Sequence, residues 1–235
     1  MAPMFSDYQY AYLIGDLVLG LPVWALLFYS RKDLRRQMLL SGILLGLLSV
    51  VTEHWYWDYW YPEGLNLWRM ALGDFCYGFF PGAIACVVYK GIRGENSSKI
   101  PNERRSGWLV PLITLGACIF YIPLWFGVNS MYSTSLGFIA MASVMVYVRR
   151  DLLWPSLVSG AMLGLMTFLN YLILSAIFPG IIHAWWLFPA NTSGITILGV
   201  PAEELLFGIA LGAAAGPAYE FFRGFGYKSV PQTPD

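Results

Sequence analysis

Gly199-Val200-Pro201-Ala202-Glu203-Glu204-Leu205-Leu206-Phe207-Gly208 places two adjacent carboxylates inside a stretch that otherwise reads as a membrane-spanning helix. Ile195-Thr196-Ile197-Leu198 precedes it, and an apolar, glycine-rich run from Ile209 to Ala218 follows. A carboxylate at the centre of a bilayer costs about +2.5 to +3.5 kcal/mol on insertion scales, so such a pair faces the bundle interior or a polar cavity rather than lipid. Pro201, read as lying within this span, has no N–H and frees a carbonyl one turn back, near Ile197. Gly199 and Gly208 let another helix or a ligand come close. A buried polar pair that only fixes helix packing is the plainer alternative; intramembrane ionisable groups favour the functional one.

The rest of the chain agrees with a membrane setting. Hydrophobic residues make up 57% of the sequence and charged residues 12%, a balance far from soluble usage. Working outward from the carboxylate pair, seven apolar runs reach spanning length, at about 8–29, 38–60, 68–89, 108–127, 134–148, 152–179 and 195–222. The fifth is short and has room to begin earlier, near Met131. The basic residues test this count. Arg31, Lys32, Arg35 and Arg36 follow span one, Lys90, Arg93, Lys99, Arg104 and Arg105 follow span three, Arg149 and Arg150 follow span five, and Arg223 and Lys228 follow span seven. With alternating spans these all fall on one face, and only Arg69 falls on the other. The positive-inside rule then puts the N-terminus outside and the C-terminus in the cytoplasm. Trp55, Trp57, Trp60, Trp68, Trp125, Trp185 and Trp186 collect at the outer face, as an aromatic belt would.

Several classes are disfavoured. No basic stripe crosses a soluble segment, so no nucleic-acid partner is expected. Cys76, Cys86 and Cys118 all lie in apolar runs and read as small buried side chains rather than a disulfide framework. No Lys or Arg precedes the first apolar run, so no cleavable signal peptide is expected. His54 and His183 have no partners at metal-ligand spacing, and no metal is expected. No glycine-rich dinucleotide fingerprint follows a strand, and no cofactor is assigned.

An internal repeat organises the spans. Arg35-Arg36-Gln37 leads into Ser41-Gly42-Ile43-Leu44-Leu45-Gly46-Leu47, and Arg149-Arg150-Asp151 leads into Ser159-Gly160-Ala161-Met162-Leu163-Gly164-Leu165. Span three carries Gly73-Asp74 and Gly78 where span seven carries Glu203-Glu204 and Gly208. The expected fold is therefore an all-α membrane bundle of seven transmembrane helices, two parallel three-helix repeats joined by a bridging helix. Its expected divisions are 1–90, a linker with the bridging helix over 91–130, a second repeat over 131–228, and a disordered tail over 229–235.

Depth along each helix, at ~1.5 Å per residue, brings Asp16, Asp74 and Glu203/Glu204 to roughly 8–13 Å from the outer end. Glu53 and Asn170 fall in or near the same layer. A neutral acid beside an ionised carboxylate is the usual arrangement for general acid–base work. Arg69 or His54 is a candidate to hold one of these groups ionised, and the aromatic segment from Trp55 to Tyr61 offers π faces to a cation.

Taken together, the chain resembles the heterodimer-type and fused lycopene cyclases, integral membrane proteins that pair two three-helix domains. Gly194-Ile195-Thr196-Ile197-Leu198-Gly199-Val200-Pro201-Ala202-Glu203-Glu204-Leu205-Leu206-Phe207 looks like the family's Pro-x-Glu-Glu motif with its upstream glycine, and Trp57-Asp58-Tyr59-Trp60 looks like its Trp-Asp-x-Trp segment. The first half departs from the pattern, with Ala71-Leu72-Gly73-Asp74 where a second Pro-x-Glu-Glu would stand, and the second half has no Trp-Asp-x-Trp equivalent. The resemblance implies acid-catalysed, redox-neutral ring closure at the end of an acyclic carotenoid or other isoprenoid. Glu203, Glu204 and Asp74 are the expected catalytic groups. Asp16, Glu53, Asp58, Trp57, Trp60, Asn170, Pro201 and Phe207 are expected around the substrate. The implied partners are a hydrophobic isoprenoid and the lipid bilayer. A non-catalytic isoprenoid binder and a proton-coupled transporter stay open beside this reading. An intramembrane protease of the Glu-Glu-x-x-x-Arg type does not, because Gly208 stands where the arginine belongs.

Overall fold

The computed structural model describes residues 8, 10–62, 67–94, 96–99, 105–186 and 192–228. The segment at Asn191, the expected tail over 229–235 and Arg104 lie outside these residues, as does the side chain of Arg69. The helices are α1 (Ala11–Ser30), α2 (Arg35–Thr52), α3 (Leu67–Arg93), α4 (Leu109–Trp125), α5 (Ser130–Val148), α6 (Leu153–Ile177), α7 (Ile181–Trp185) and α8 (Ala202–Arg223). Among the described residues seven helical segments are long and apolar enough to cross a membrane, one for each expected span. The chain is an all-α, multi-pass membrane protein.

Within the first triplet, α3 packs on both α1 and α2; within α5, α6 and α8, the last helix packs on the other two. The triplets meet where α3 lies against α6 and α8, and α1 against α6, while α4 rests on α5. Small residues set these distances, because lipid tails give helix association no hydrophobic drive and backbone proximity must supply it. A Cβ on Gly78 of α3 would lie 2.4 Å from the carbonyl oxygen of Leu45 on α2. A Cβ on Gly212 of α8 would lie 2.4 Å from that of Ser159 on α6. The two Ser-Gly segments singled out in the sequence serve these same contacts, with Gly42 against Phe79 and Ala83, and Gly160 against Ile209 and Ala213.

A buried polar cluster fastens the triplets at the end where α2 starts and α3 and α8 finish. Lys90 forms an ion pair with Glu220, both nearly without exposure. The Lys90 ammonium also donates to Gln37 Oε1 at 2.8 Å. Gln37 Nε2 donates to Glu220 Oε1 at 2.9 Å and to the carbonyl of Cys86 at 2.6 Å. Arg149 Nη1 donates to the backbone carbonyl of Glu220 at 2.8 Å. Beyond the helices, β1 (Asn96–Lys99) pairs antiparallel with β4 (Phe225–Lys228), so part of the expected linker is a strand held to the segment that follows α8.

The last span differs from expectation. Residues 195–201 are not helical: β2 (Thr196–Ile197) and β3 (Val200–Pro201) form a small hairpin. Leu198 and Gly199 at its turn take positive φ values of 52° and 84°. Pro201, with φ −58° and ψ 134°, stands before α8 as its N-cap residue instead of inside it, so it frees no carbonyl near Ile197. The physical reason is that the proline and the left-handed turn before it both disfavour continuing a helix upstream. Glu203 and Glu204 thus occupy the first turn of α8, where unpaired N–H groups and the helix dipole favour carboxylates. The count of ~1.5 Å per residue along one helix from residue 195 therefore does not apply to Glu203 and Glu204.

The tryptophans divide as well. Trp68, Trp125 and Trp57 are exposed, as a belt requires, whereas Trp60, Trp185 and Trp186 are buried in the largest apolar core. Trp60 and Trp186 meet through an antiparallel backbone bridge. Tyr8 ties the start of α1 to the α6–α7 connection by donating to the carbonyl of Pro179 at 2.6 Å.

Candidate functional site

Adjacent residues on an α-helix point about 100° apart, so Glu203 and Glu204 cannot present their carboxyls to one place. Glu203 accepts from the hydroxyl of Tyr132 at 2.6 Å and from the backbone N–H of Ser193 at 2.7 Å, tying the segment before β2 to α5 and α8. Glu204 turns inward. Its Oε1 accepts from the indole Nε1 of Trp186 at 2.8 Å, and its Oε2 finds no donor among the described residues. The phenols of Tyr59 and Tyr171 flank it.

Glu204 lines a cavity of about 340 Å³ between the two triplets. Glu53 lines it too, from the 3₁₀ turn Glu53–Tyr56 that follows α2. The carboxyl groups of Glu53 and Asp74 hydrogen-bond each other, and the Tyr12 hydroxyl bonds to Asp74. The remaining walls combine aromatic rings with aliphatic side chains and the hydroxyls of Ser49, Thr52 and Thr134. Tyr77 stacks on Phe207 with centroids 6.1 Å apart, Phe138 meets Phe207 edge-on at 5.9 Å, and Tyr56 does so at 6.5 Å. The Tyr56 hydroxyl lies 3.0 Å from that of Thr134.

The structure brings together part of the expected set. Glu53, Glu204, Trp60 and Phe207 line the cavity, with Asp74 directly behind Glu53. Asp16 is buried on α1 in the electrostatic reach of Asp74, outside the lining. Asn170, half-buried on α6, and Pro201 also lie outside it. Trp57 is exposed. Asp58 also lies outside the lining. Its carboxylate accepts from the backbone N–H of Ser130 at 2.8 Å and from the Ser130 hydroxyl, closing the N-terminus of α5. His54 is exposed beside Trp55, and no acidic partner of it is resolved.

Among the lining aromatics, Tyr12, Tyr77, Phe120, Tyr121, Phe138 and Tyr171 are absent from the sequence-based readings. Helix spacing had a signal for two positions: Phe207 follows Glu204 by three residues and Tyr77 follows Asp74 by three, which puts each pair on one face. Nothing comparable marks Phe138 and Tyr171, which reach the cavity only through packing of α5 and α6.

Residues 129–222, from α5 through nearly all of α8, match the family model described as lycopene cyclase. The match spans 94 of the chain's 235 residues. The matched segment holds Pro201-Ala202-Glu203-Glu204, Tyr132, Tyr171, Trp186 and Phe207, and it leaves out Glu53 and Asp74. No curated protein and no solved structure matches the chain. The matched segment thus supplies one carboxylate face of the cavity, and the first triplet supplies the other.

Proposed function

We propose that the protein closes a ring at the end of an acyclic carotenoid or related isoprenoid, without net oxidation or reduction. One carboxyl group facing the cavity gives its proton to a terminal double bond: an O–H bond breaks, a C–H bond forms and a tertiary carbocation remains. A neighbouring double bond of the same chain attacks the cation and forms the ring C–C bond. A second carboxylate then removes a proton and restores an alkene, so the product is an isomer of the substrate. Glu204 and the Glu53–Asp74 pair are the two proton-exchanging centres of this proposal. The proton left on the base returns to the acid before the next cycle. Tyr56, Tyr77, Phe138 and Phe207 offer π faces to the intermediate cation, and the scarcity of other polar walls keeps water from capturing it. Glu203 is proposed as a positioning residue that fastens the segment before α8 over Glu204.

The observation that carries this reading is an apolar, aromatic cavity with carboxyl groups from both triplets on its walls, one of them inside the segment that matches the lycopene cyclase model. An apolar void of ~150 Å³ already takes a benzene-sized guest, so a cavity of about 340 Å³ suits a cyclic end group better than a whole carotenoid. The two triplets are proposed to be copies of one unit, with the N-terminus outside and the C-terminus in the cytoplasm. Membranes containing the protein, given lycopene in deuterated water, are expected to yield cyclised product with one added mass unit per ring. Cyclised product with no mass gain would refute protonation as the first step.

A second reading, a non-catalytic isoprenoid binder, is favoured by Gly73-Asp74 standing where the family resemblance calls for a second Glu-Glu pair. It predicts lycopene recovered unchanged with the purified protein.

A further inference from the structure

The cavity has an unclosed side. Four of its lining residues, Leu48 on α2 and Ile113, Ala117 and Tyr121 on α4, are at the same time exposed at the surface of the helical bundle. Leu48 is 49% exposed and Ile113 56% exposed, whereas the opposite wall at Glu204, Phe207 and Leu211 is buried. The cause is in the packing: α2 lies on α3 and α4 lies on α5, but α2 and α4 do not form a packed pair. From Ile113 to Tyr121 the gap runs along about 12 Å of helix at ~1.5 Å per residue. Its floor is low because Gly116 carries no side chain, and a Cβ there would meet Met141 Sδ at 2.7 Å. One end is shut: the Trp55 ring rests on Phe120 at 5.3 Å and on Tyr121 at 5.4 Å.

In a chain whose long helices are apolar enough to cross a bilayer, this opening looks onto lipid tails and not onto water. We propose that the α2–α4 gap is a side entrance through which the end of a long apolar chain passes from the bilayer core into the cavity, the remainder of the chain staying in lipid. This rests on the cyclase reading for the class of occupant, an isoprenoid hydrocarbon, and it extends that reading by fixing how the occupant arrives. It also removes a difficulty of size, since a cavity of about 340 Å³ need hold only the reacting end. Trp55 closes the gap toward the segment that follows α2, so entry is by the lipid side between Leu48 and Ala117.

The test uses the full chain in lipid nanodiscs and a polyprenyl hydrocarbon bearing a diazirine at one terminus. Illumination is expected to leave adducts inside the cavity, at Glu204 or Tyr77, together with adducts along 113–121. Ala117→Trp and, separately, Leu48→Trp fill the gap from either side and are expected to lower the cavity adducts about tenfold or more. Ile122→Trp, at an exposed α4 position that does not line the cavity, is expected to leave them unchanged. Cavity adducts that persist in both gap variants, or that fall equally in Ile122→Trp, would overturn the entrance. So would wild-type labelling confined to the surface. If the wild type takes the probe as stated yet leaves lycopene uncyclised, the entrance stands and the cyclase reading falls.

Discussion

Removing the ammonium group of Lys90 tests how the two triplets are held together. Lys90→Met leaves the Glu220 carboxylate buried without its cation, and Glu220→Leu does the converse to Lys90. Breaking a buried pair from one side costs about 3–5 kcal/mol. If the two effects were independent, the double variant would lose roughly 6–10 kcal/mol. They are not independent, because the double variant buries no unpaired charge. What it retains is Gln37, whose Nε2 keeps the Cys86 carbonyl but loses Glu220 Oε1, and whose Oε1 loses the Lys90 donor, a deficit of about 1–3 kcal/mol that each single variant shares in part. The double variant should therefore be more stable than either single one. At ~2–4 °C per kcal/mol for a chain of this size, each single change lowers Tm by about 6–20 °C. Cys86 is 3% exposed and reports unfolding through a thiol-reactive dye, in a background where Cys76 and Cys118 are replaced by serine. A double variant melting at or below the less stable single variant would refute the pairing argument.

Gly212→Ala sets a Cβ 2.4 Å from the Ser159 carbonyl oxygen and should cost about 1–3 kcal/mol by forcing α6 and α8 apart, visible as a lower Tm in the same dye assay. A reporter fused after Arg105 should be active in the cytoplasm and one inserted near Asn191 should not; equal cytoplasmic activity would overturn the orientation. Glu53→Gln and Asp74→Asn each remove a member of the first-triplet carboxyl pair, and each should slow lycopene conversion by about 10²–10⁴ if that pair exchanges the second proton. Wild-type conversion in both variants would place the second centre elsewhere.

The membrane class and the number of spans were legible because they depend on run length and charge placement, which a bilayer enforces one helix at a time. The glycine segments at Gly42 and Gly160 were legible as contact points for the same reason that they stood out: small residues recurring four apart make a helix stripe. The start of α8 was not, since Ile195-Thr196-Ile197-Leu198 is apolar enough to continue a helix; Gly199 and Pro201 contained the signal, read as features inside the span instead of its boundary. The Glu203–Glu204 pair illustrates a second limit. Adjacency in sequence suggested joint action, while helix rotation sends one carboxyl to Ser193 and Tyr132 and the other to the cavity. Glu53 could be placed near the carboxylate layer, but its coupling to Asp74 depends on how the turn after α2 meets α3. That is a tertiary relation no single segment encodes. The same holds for Trp60, Trp185 and Trp186, whose composition fits an interfacial belt and whose packing makes them core.

The central claim is that Glu204, and not its neighbour, exchanges the proton. Glu204→Gln keeps the size of the side chain and leaves an amide oxygen to accept from Trp186, so the fold is conserved while the proton-exchanging group is lost. The measurement is the pigment composition of lycopene-accumulating cells that contain equal membrane levels of the wild type, Glu204→Gln or Glu203→Gln. The expected result is cyclised carotenoid with the wild type, a partial loss with Glu203→Gln, and acyclic lycopene with Glu204→Gln, a fall of about 10²–10⁴ in rate. Wild-type levels of cyclised product from Glu204→Gln would contradict the assignment.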